Sequence, residues 1–190
     1  INCDFLRVPG FLFLSPEDDL STLEKEYSAC QDAGLLDVQK RNAGHSPLFP
    51  TGPCLRFPHQ ARFHPLKYLL GLAHAVREKG GKIFSQTEVT QISDHSPARA
   101  MTNRGLHVLA EHIVVATNVS FQDRFGLASR MAANRTYMIG LAIEETRFDS
   151  SLFWDTARPY HYLRTCRDSD GRAILLLGGE DHRTGDHRPG

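Results

Sequence analysis

HPLKYLLGLAHAVREKGGKIFSQTEVTQIS, residues 64 to 93, decides the fold together with TNRGLHVLAEHIVVATN, residues 102 to 118. Pro65 suits the first turn of a helix, where a missing N–H costs nothing. Leu66, Leu69, Leu70, Ala73 and Val76 recur at helical spacing, and Tyr68, Leu72 and Ala75 make the opposite side apolar too. A helix of that kind is expected to be well covered, and Gly80-Gly81 ends it. KIFS then reads as a short strand, and TEVTQIS alternates Val89 and Ile92 with polar neighbours. Ala98 to Thr102 and Leu106 to Leu109 form a hairpin around Asn103-Arg104-Gly105, with glycine where positive φ is cheap. His112-Ile113-Val114-Val115-Ala116 is β-branched without alternation, the pattern of a strand buried on both faces of a parallel sheet. This order of elements is used where a dinucleotide lies against a sheet. No G-x-G-x-x-G precedes it, so the phosphate-cradling half is expected outside these residues.

Toward the N-terminus, Phe5 to Leu14 is apolar and broken by Pro9-Gly10, which gives two short strands or one bent one. Ser15-Pro16-Glu17-Asp18 supplies an N-cap, a proline at the first helical position and acidic residues in the first turn of a helix to about Ala33. Leu20, Leu23, Tyr27 and Cys30 form its packing stripe, and Gly34 ends it. From Gln39 to Phe63, glycines and prolines interrupt every period, and a long loop of the kind used as a lid or binding segment is expected.

Toward the C-terminus, a short amphipathic piece at Phe121 to Phe125 precedes strands at Thr136 to Ile143, Tyr160 to Arg164 and Ala173 to Leu177. The turn Arg167-Asp168-Ser169-Asp170-Gly171 joins the last two as an antiparallel hairpin. Gly178-Gly179 follows at once, where backbone approaches something closely or takes an unusual conformation.

Of the 190 residues, 41% are hydrophobic, enough for a real core. Lys and Arg number 22 against 22 Asp and Glu, which removes the basic footprint of a nucleic-acid binder. No apolar run reaches the roughly 20 residues of a bilayer span, and no signal-peptide layout opens the chain, so a cytoplasmic home and no membrane partner are expected. Ile1 at the start and the charged tail DHRTGDHRPG suggest a piece of a longer chain. Cys3, Cys30, Cys54 and Cys166 form no C-x-x-C pair and read as reduced, mostly buried thiols. Pairing His59 with His64, or His182 with His187, lacks metal-ligand spacing, and no metal site is expected. Asn118-Val119-Ser120 and Asn134-Arg135-Thr136 fit the glycosylation pattern only as coincidence.

The residues 64 to 93, the hairpin at TNRG, the strand EHIVVATN, and PYHYLR followed by ILLLGGEDHRTG together resemble the D-amino-acid oxidase-like FAD-dependent oxidoreductases, which include glycine oxidase and sarcosine oxidase. The resemblance covers most of the chain in the right order. The pair PYHYLR and GGEDH looks closest to a subgroup in which the flavoprotein is often followed by a Rieske iron–sulfur domain.

That resemblance implies cofactor residues. It puts the backbone of Val89 beside the adenine of FAD, and Ala116-Thr117-Asn118 near the ribose and pyrophosphate. Asn118 stands where the family has glycine, and although Asn tolerates left-handed φ, its bulk obstructs the closest backbone approach. Gly178 and Gly179 resemble the glycines that let a strand end pass close to the flavin. Without the family pattern, Val89 and Ala116 read as core packing and the glycine pair as an ordinary turn.

On the substrate side, Arg164 presents a fixed fork suited to a carboxylate. Tyr160 and Tyr162 share its alternation and face the same side of the strand, with His161 and Leu163 on the other. Read without the resemblance, Arg164 is equally a surface arginine at a strand end and the tyrosines are wall or core residues. His64, before Pro65, is either near a substrate pocket or a capping histidine.

The resulting expectation is an α+β fold: a partial FAD-binding, Rossmann-like domain lacking its glycine-rich phosphate loop, with a mixed or antiparallel substrate-domain sheet. Residues 1–60 and 119–190 form the substrate domain and residues 61–118 the FAD-binding part. The whole protein oxidises a C–N bond of a small-molecule amine or amino acid by hydride transfer to FAD, while the piece alone is inactive and does not retain the coenzyme. The competing expectation, favoured by Asn118, is a non-catalytic binding or scaffolding domain without flavin.

Overall fold

A computed structural model describes residues 1–44, 46–118 and 131–185. The amphipathic piece expected at Phe121 to Phe125 lies outside the described residues. The chain divides into two compact units, residues 1–69 with 134–190, and residues 70–133.

The first unit is built on a seven-stranded mixed sheet. Its strands are β1 (Leu6–Phe13), β2 (Gln39–Arg41), β3 (Cys54–Arg62), β7 (Asn134–Ala142), β8 (Leu152–Asp155), β9 (Tyr162–Arg167) and β10 (Ala173–Arg183), in the order β2-β3-β1-β8-β9-β10-β7. Only β1 and β8 run parallel; the other neighbours are antiparallel. β9 and β10 form the hairpin expected across Arg167 to Gly171.

β1 is a single strand with an irregularity between Val8 and Gly10, where Pro9 faces the interval between Phe57 and Gln60 of β3. Both strands place a proline there, Pro9 and Pro58, where a bulge asks for fewer ladder N–H groups. This pairing overturns the long loop expected from Gln39 to Phe63: Gln39–Arg41 are β2 and Cys54–Arg62 are β3, which is held between β1 and β2. Part of the remaining loop packs on the sheet. The Phe49 ring packs tilted against Phe13 and edge-on against Phe153, with ring centroids 5.2 and 5.7 Å away, and covers one face of the sheet over Phe11, Cys54 and Phe153.

The other face is covered by helix α1 (Leu20–Asp32), whose Leu23 and Cys30 pack with Leu12, Val38 and Leu55. α1 begins later than Ser15 and Pro16 suggest. Ser15 N donates to Thr156 Oγ1 and Thr156 Oγ1 to Asp18, which ties that segment to the β8–β9 turn. Asp19 is the N-cap instead, accepting from Ser21 N at 2.8 Å. Gly34, at φ +82°, ends the helix as expected. The most fully enclosed side chains are Phe153, Leu55, Thr165 and Cys54, all beside the β1–β3–β8–β9 centre. All four cysteines are free thiols, three of them buried.

Helix α2 (Pro65–Glu78) starts at Pro65, and Gly80 follows at φ +82°. In contrast to the expectation it has no buried residue, and Leu66, Leu69 and Leu70 are exposed. The second unit contains the antiparallel meander β4 (Val89–Ser93), β5 (Ala98–Thr102) and β6 (His107–Ala110), close to the expected hairpin. The segments Lys82 to Ser85 and His112 to Ala116 are not strands, and Val114 is 87% exposed. A strand buried on both faces needs neighbours for its main-chain groups, and no described segment pairs with either stretch. Among the described residues no helix is long and apolar enough to cross a membrane.

Candidate active site

An open groove of about 630 Å³ lies on the first unit, lined by Leu152, Phe153, Trp154, Tyr160, Tyr162, Leu163 and Arg164. Sheet register explains the lining. Leu152 opposes Arg164 and Trp154 opposes Tyr162 across β8 and β9, and directly opposed residues share a face. Tyr160 precedes β9, and its ring centroid lies 5.9 Å from that of Tyr162. The expected grouping of Tyr160, Tyr162 and Arg164 is therefore present on one wall.

Arg164 has no carboxylate partner among the described residues; its Nη1 reaches only the Phe63 carbonyl, at 3.5 Å. A second guanidinium is close by. Arg62 donates to the Thr165 carbonyl at 2.6 Å and lies over the Phe148 ring. Burial, then the charge of Arg164, pushes the Arg62 guanidinium below its ordinary value. This end of the groove therefore carries positive charge in a half-buried setting, where an anion is attracted more strongly than in bulk water.

The glycine pair lies inside β10, not after it. Gly178 opposes Tyr162, and a Cβ there would overlap the Tyr162 ring. At Gly179, φ is +155°, and a Cβ would meet His161 Cδ2 at 2.8 Å and the Tyr160 carbonyl at 2.9 Å. Close approach is thus real at both positions, and the groups that approach are side chains and backbone of β9 and its entry. Thr136 of β7 donates to the Gly179 carbonyl at 3.0 Å, which fastens the same point from the other side.

His161 adds a group that sequence reasoning missed. Its Nδ1 lies 2.8 Å from Asp155 Oδ2 and its Nε2 3.2 Å from Glu180 Oε1. Asp155 also accepts from the main-chain N–H groups of Ala157 and His161 at 3.2 and 2.8 Å. The hydrogen bonds to Asp155 and then Glu180 raise the His161 pKa above 6.5. The one signal in the sequence was the alternation that puts His161 opposite the two tyrosines.

His64 is not in the groove. Its main-chain N–H donates to the Cys3 carbonyl, and its Nδ1 accepts from Lys67 N at 3.4 Å, a helix-capping position at the start of α2. Val89 is paired with Thr102 in β4, which has a strand neighbour on one side only among the described residues. Ala116, Thr117 and Asn118 are exposed and outside any strand. No cluster of metal-ligating side chains occurs among the described residues.

Known proteins share this fold. A solved glycine oxidase from Geobacillus kaustophilus superposes with a TM-score of 0.71 at 19% identity, covering 99% of this chain and 51% of that one. A Bacillus subtilis (strain 168) protein with the provisional name Rieske 2Fe-2S iron-sulfur protein YhfW is 24% identical over 188 residues, 97% of this chain and 36% of its own length. The gamma-glutamylputrescine oxidoreductase of Escherichia coli (strain K12) is 33% identical over 131 residues, 65% of this chain and 30% of its own. The chain thus spans about half of the glycine oxidase and about a third of these two relatives. The family model for FAD dependent oxidoreductases, DAO, matches residues 1–190. By that match over its whole length, the chain belongs to the DAO family of FAD dependent oxidoreductases.

Proposed function

We propose that the protein containing this chain oxidises the C–N bond of an amino acid, or of an amine that carries a carboxylate. The observation that carries this reading is Arg164, a guanidinium without a carboxylate partner among the described residues, at one end of an aromatic-walled groove. A carboxylate there would gain charge-assisted, bidentate hydrogen bonds, with Arg62 reinforcing the field. Trp154, Tyr160 and Tyr162 would cover the apolar part of the molecule and exclude water. FAD, when bound, would supply the two-electron redox chemistry of this oxidation.

The residues in hand fit that coenzyme only in part. The open side of β4 suits main-chain recognition of an adenine near Val89. Against this, these 190 residues hold no G-x-G-x-x-G, and Ala116 to Asn118 stand outside any strand, so nothing among the described residues cradles a pyrophosphate. We assign residues 61–118 to the FAD-binding part and residues 1–60 and 119–190 to the substrate part. The resemblance to YhfW, whose name carries the Rieske term, supports a Rieske domain elsewhere in the whole protein as an electron-transfer partner.

The test is a matched pair of substrates offered to the full-length protein: an amino acid and the amine left when its carboxylate is removed. The amino acid should be the better substrate by kcat/KM, mainly through KM. Equal use of both would overturn the role given to Arg164.

A further inference from the structure

Resting on the reading that this groove receives the substrate, we propose that His161 is a positioning residue which, by bridging Asp155 and Glu180, fixes Tyr160 and Tyr162 in the groove wall. Three strands meet at this histidine. Asp155 ends β8 and is 9% exposed, His161 enters β9, and Glu180 follows the glycine pair of β10. Asp155 N donates to the His161 carbonyl at 3.1 Å, while Asp155 Oδ1 accepts from His161 N, so residues 155 to 161 close on themselves. The imidazole then lies against Gly179, and the Tyr162 ring lies on Gly178. Successive residues of β9 and its entry are thus seated on successive glycines of β10. Movement of His161 off Gly179 displaces its chain neighbours Tyr160 and Tyr162.

The bridge has a proton requirement. A carboxylate only accepts, so Asp155 and Glu180 can both be satisfied only if both ring nitrogens carry hydrogen, as in the charged imidazolium. Loss of one proton leaves one link without a donor. The exposed, longer link to Glu180 is the one to break, since Asp155 is buried and also held by main-chain donors. The charged groups facing His161 are Asp155 of β8 and Glu180 of β10. From its own turn and strand, Arg158 is exposed and Tyr160 and Tyr162 flank it.

The experiment is 19F NMR of the full-length protein labelled with 3-fluorotyrosine, with the signals assigned through Tyr160→Phe and Tyr162→Phe. As pH rises, both signals should move with the midpoint of the His161 Cε1 proton. Glu180→Gln should carry that shared midpoint to lower pH, and His161→Phe should remove the movement and broaden both signals. Tyrosine signals that stay fixed while His161 titrates, or a shared midpoint unmoved in Glu180→Gln, would overturn the proposal. If His161→Phe fails to fold, Glu180→Gln, a change at an exposed carboxylate, decides alone. The readout involves no turnover, so its failure would leave the amine-oxidation reading standing, and the reverse also holds.

Discussion

The ring of Tyr162 occupies the space that a side chain at Gly178 would fill, across the antiparallel pairing of β9 and β10. One residue earlier in β9's entry and one later in β10, His161 takes the same relation to Gly179. The groove wall is therefore set by two absent side chains, and its aromatic residues have little freedom to be placed otherwise.

Gly178→Ala should force the Tyr162 ring out of its seat, with a loss of about 1–3 kcal/mol as for other overpacked sites. Gly140, in the adjacent strand β7, is the control. A Cβ there meets Ile174 and Leu176 side chains at 3.6 Å, ordinary contact distance, so Gly140→Ala should be nearly neutral. Denaturant unfolding of the two variants side by side checks the contrast.

Arg164→Gln removes the charge that holds the proposed carboxylate. Hydrogen bonds to charged groups contribute about 1.5–3 kcal/mol, so KM for an amino acid should rise roughly 10- to 100-fold with a smaller change in kcat. KM for a carboxylate-free amine should not rise. Steady-state kinetics on both substrates measures the difference.

The His161 bridge contributes to stability with a defined sign. Its folded pKa is raised above 6.5, so the contribution is complete below that pH and is lost as pH rises through the folded value. Thermal melts of wild type and His161→Gln should differ most in mildly acidic buffer and converge at alkaline pH. Curves that stay parallel across the range would contradict it.

Phe153 is 1% exposed and stacks with Phe11 at 5.4 Å. Phe153→Ala should cost about 3–5 kcal/mol, because Phe11, Phe49 and Cys54 are fixed by strands or by a closed loop and cannot collapse into the space. Equilibrium unfolding gives the value.

Elements whose signal is local were legible in the sequence: Pro65 opening α2, Gly34 and Gly80 closing helices, and the β9–β10 hairpin over Asp168 to Gly171. β3 was hidden because Pro58 breaks its period, and the bulge opposite Pro9 that accommodates it depends on pairing with a strand some 50 residues away. β8 was missed for the same reason, its four residues having β1 and β9 as neighbours. The tyrosine and arginine wall followed from strand alternation, whereas Asp155, His161 and Glu180 come together only through the register of three strands. The burial expected for α2 and His112 to Ala116 failed because apolar composition states a need for cover, and no described segment meets it.

Oxidation of a C–N bond with FAD, by the protein of which this chain is part, would have a direct spectroscopic signature. Its most direct measurement is the visible spectrum of the purified full-length protein, mixed without oxygen with amino acids and amines. A flavin band should be present, bleach when an amino acid is added and return on admission of an electron acceptor. A colourless protein that cannot be reconstituted with FAD, or a flavin that no amine or amino acid reduces, would contradict it and favour a scaffold that keeps the fold alone.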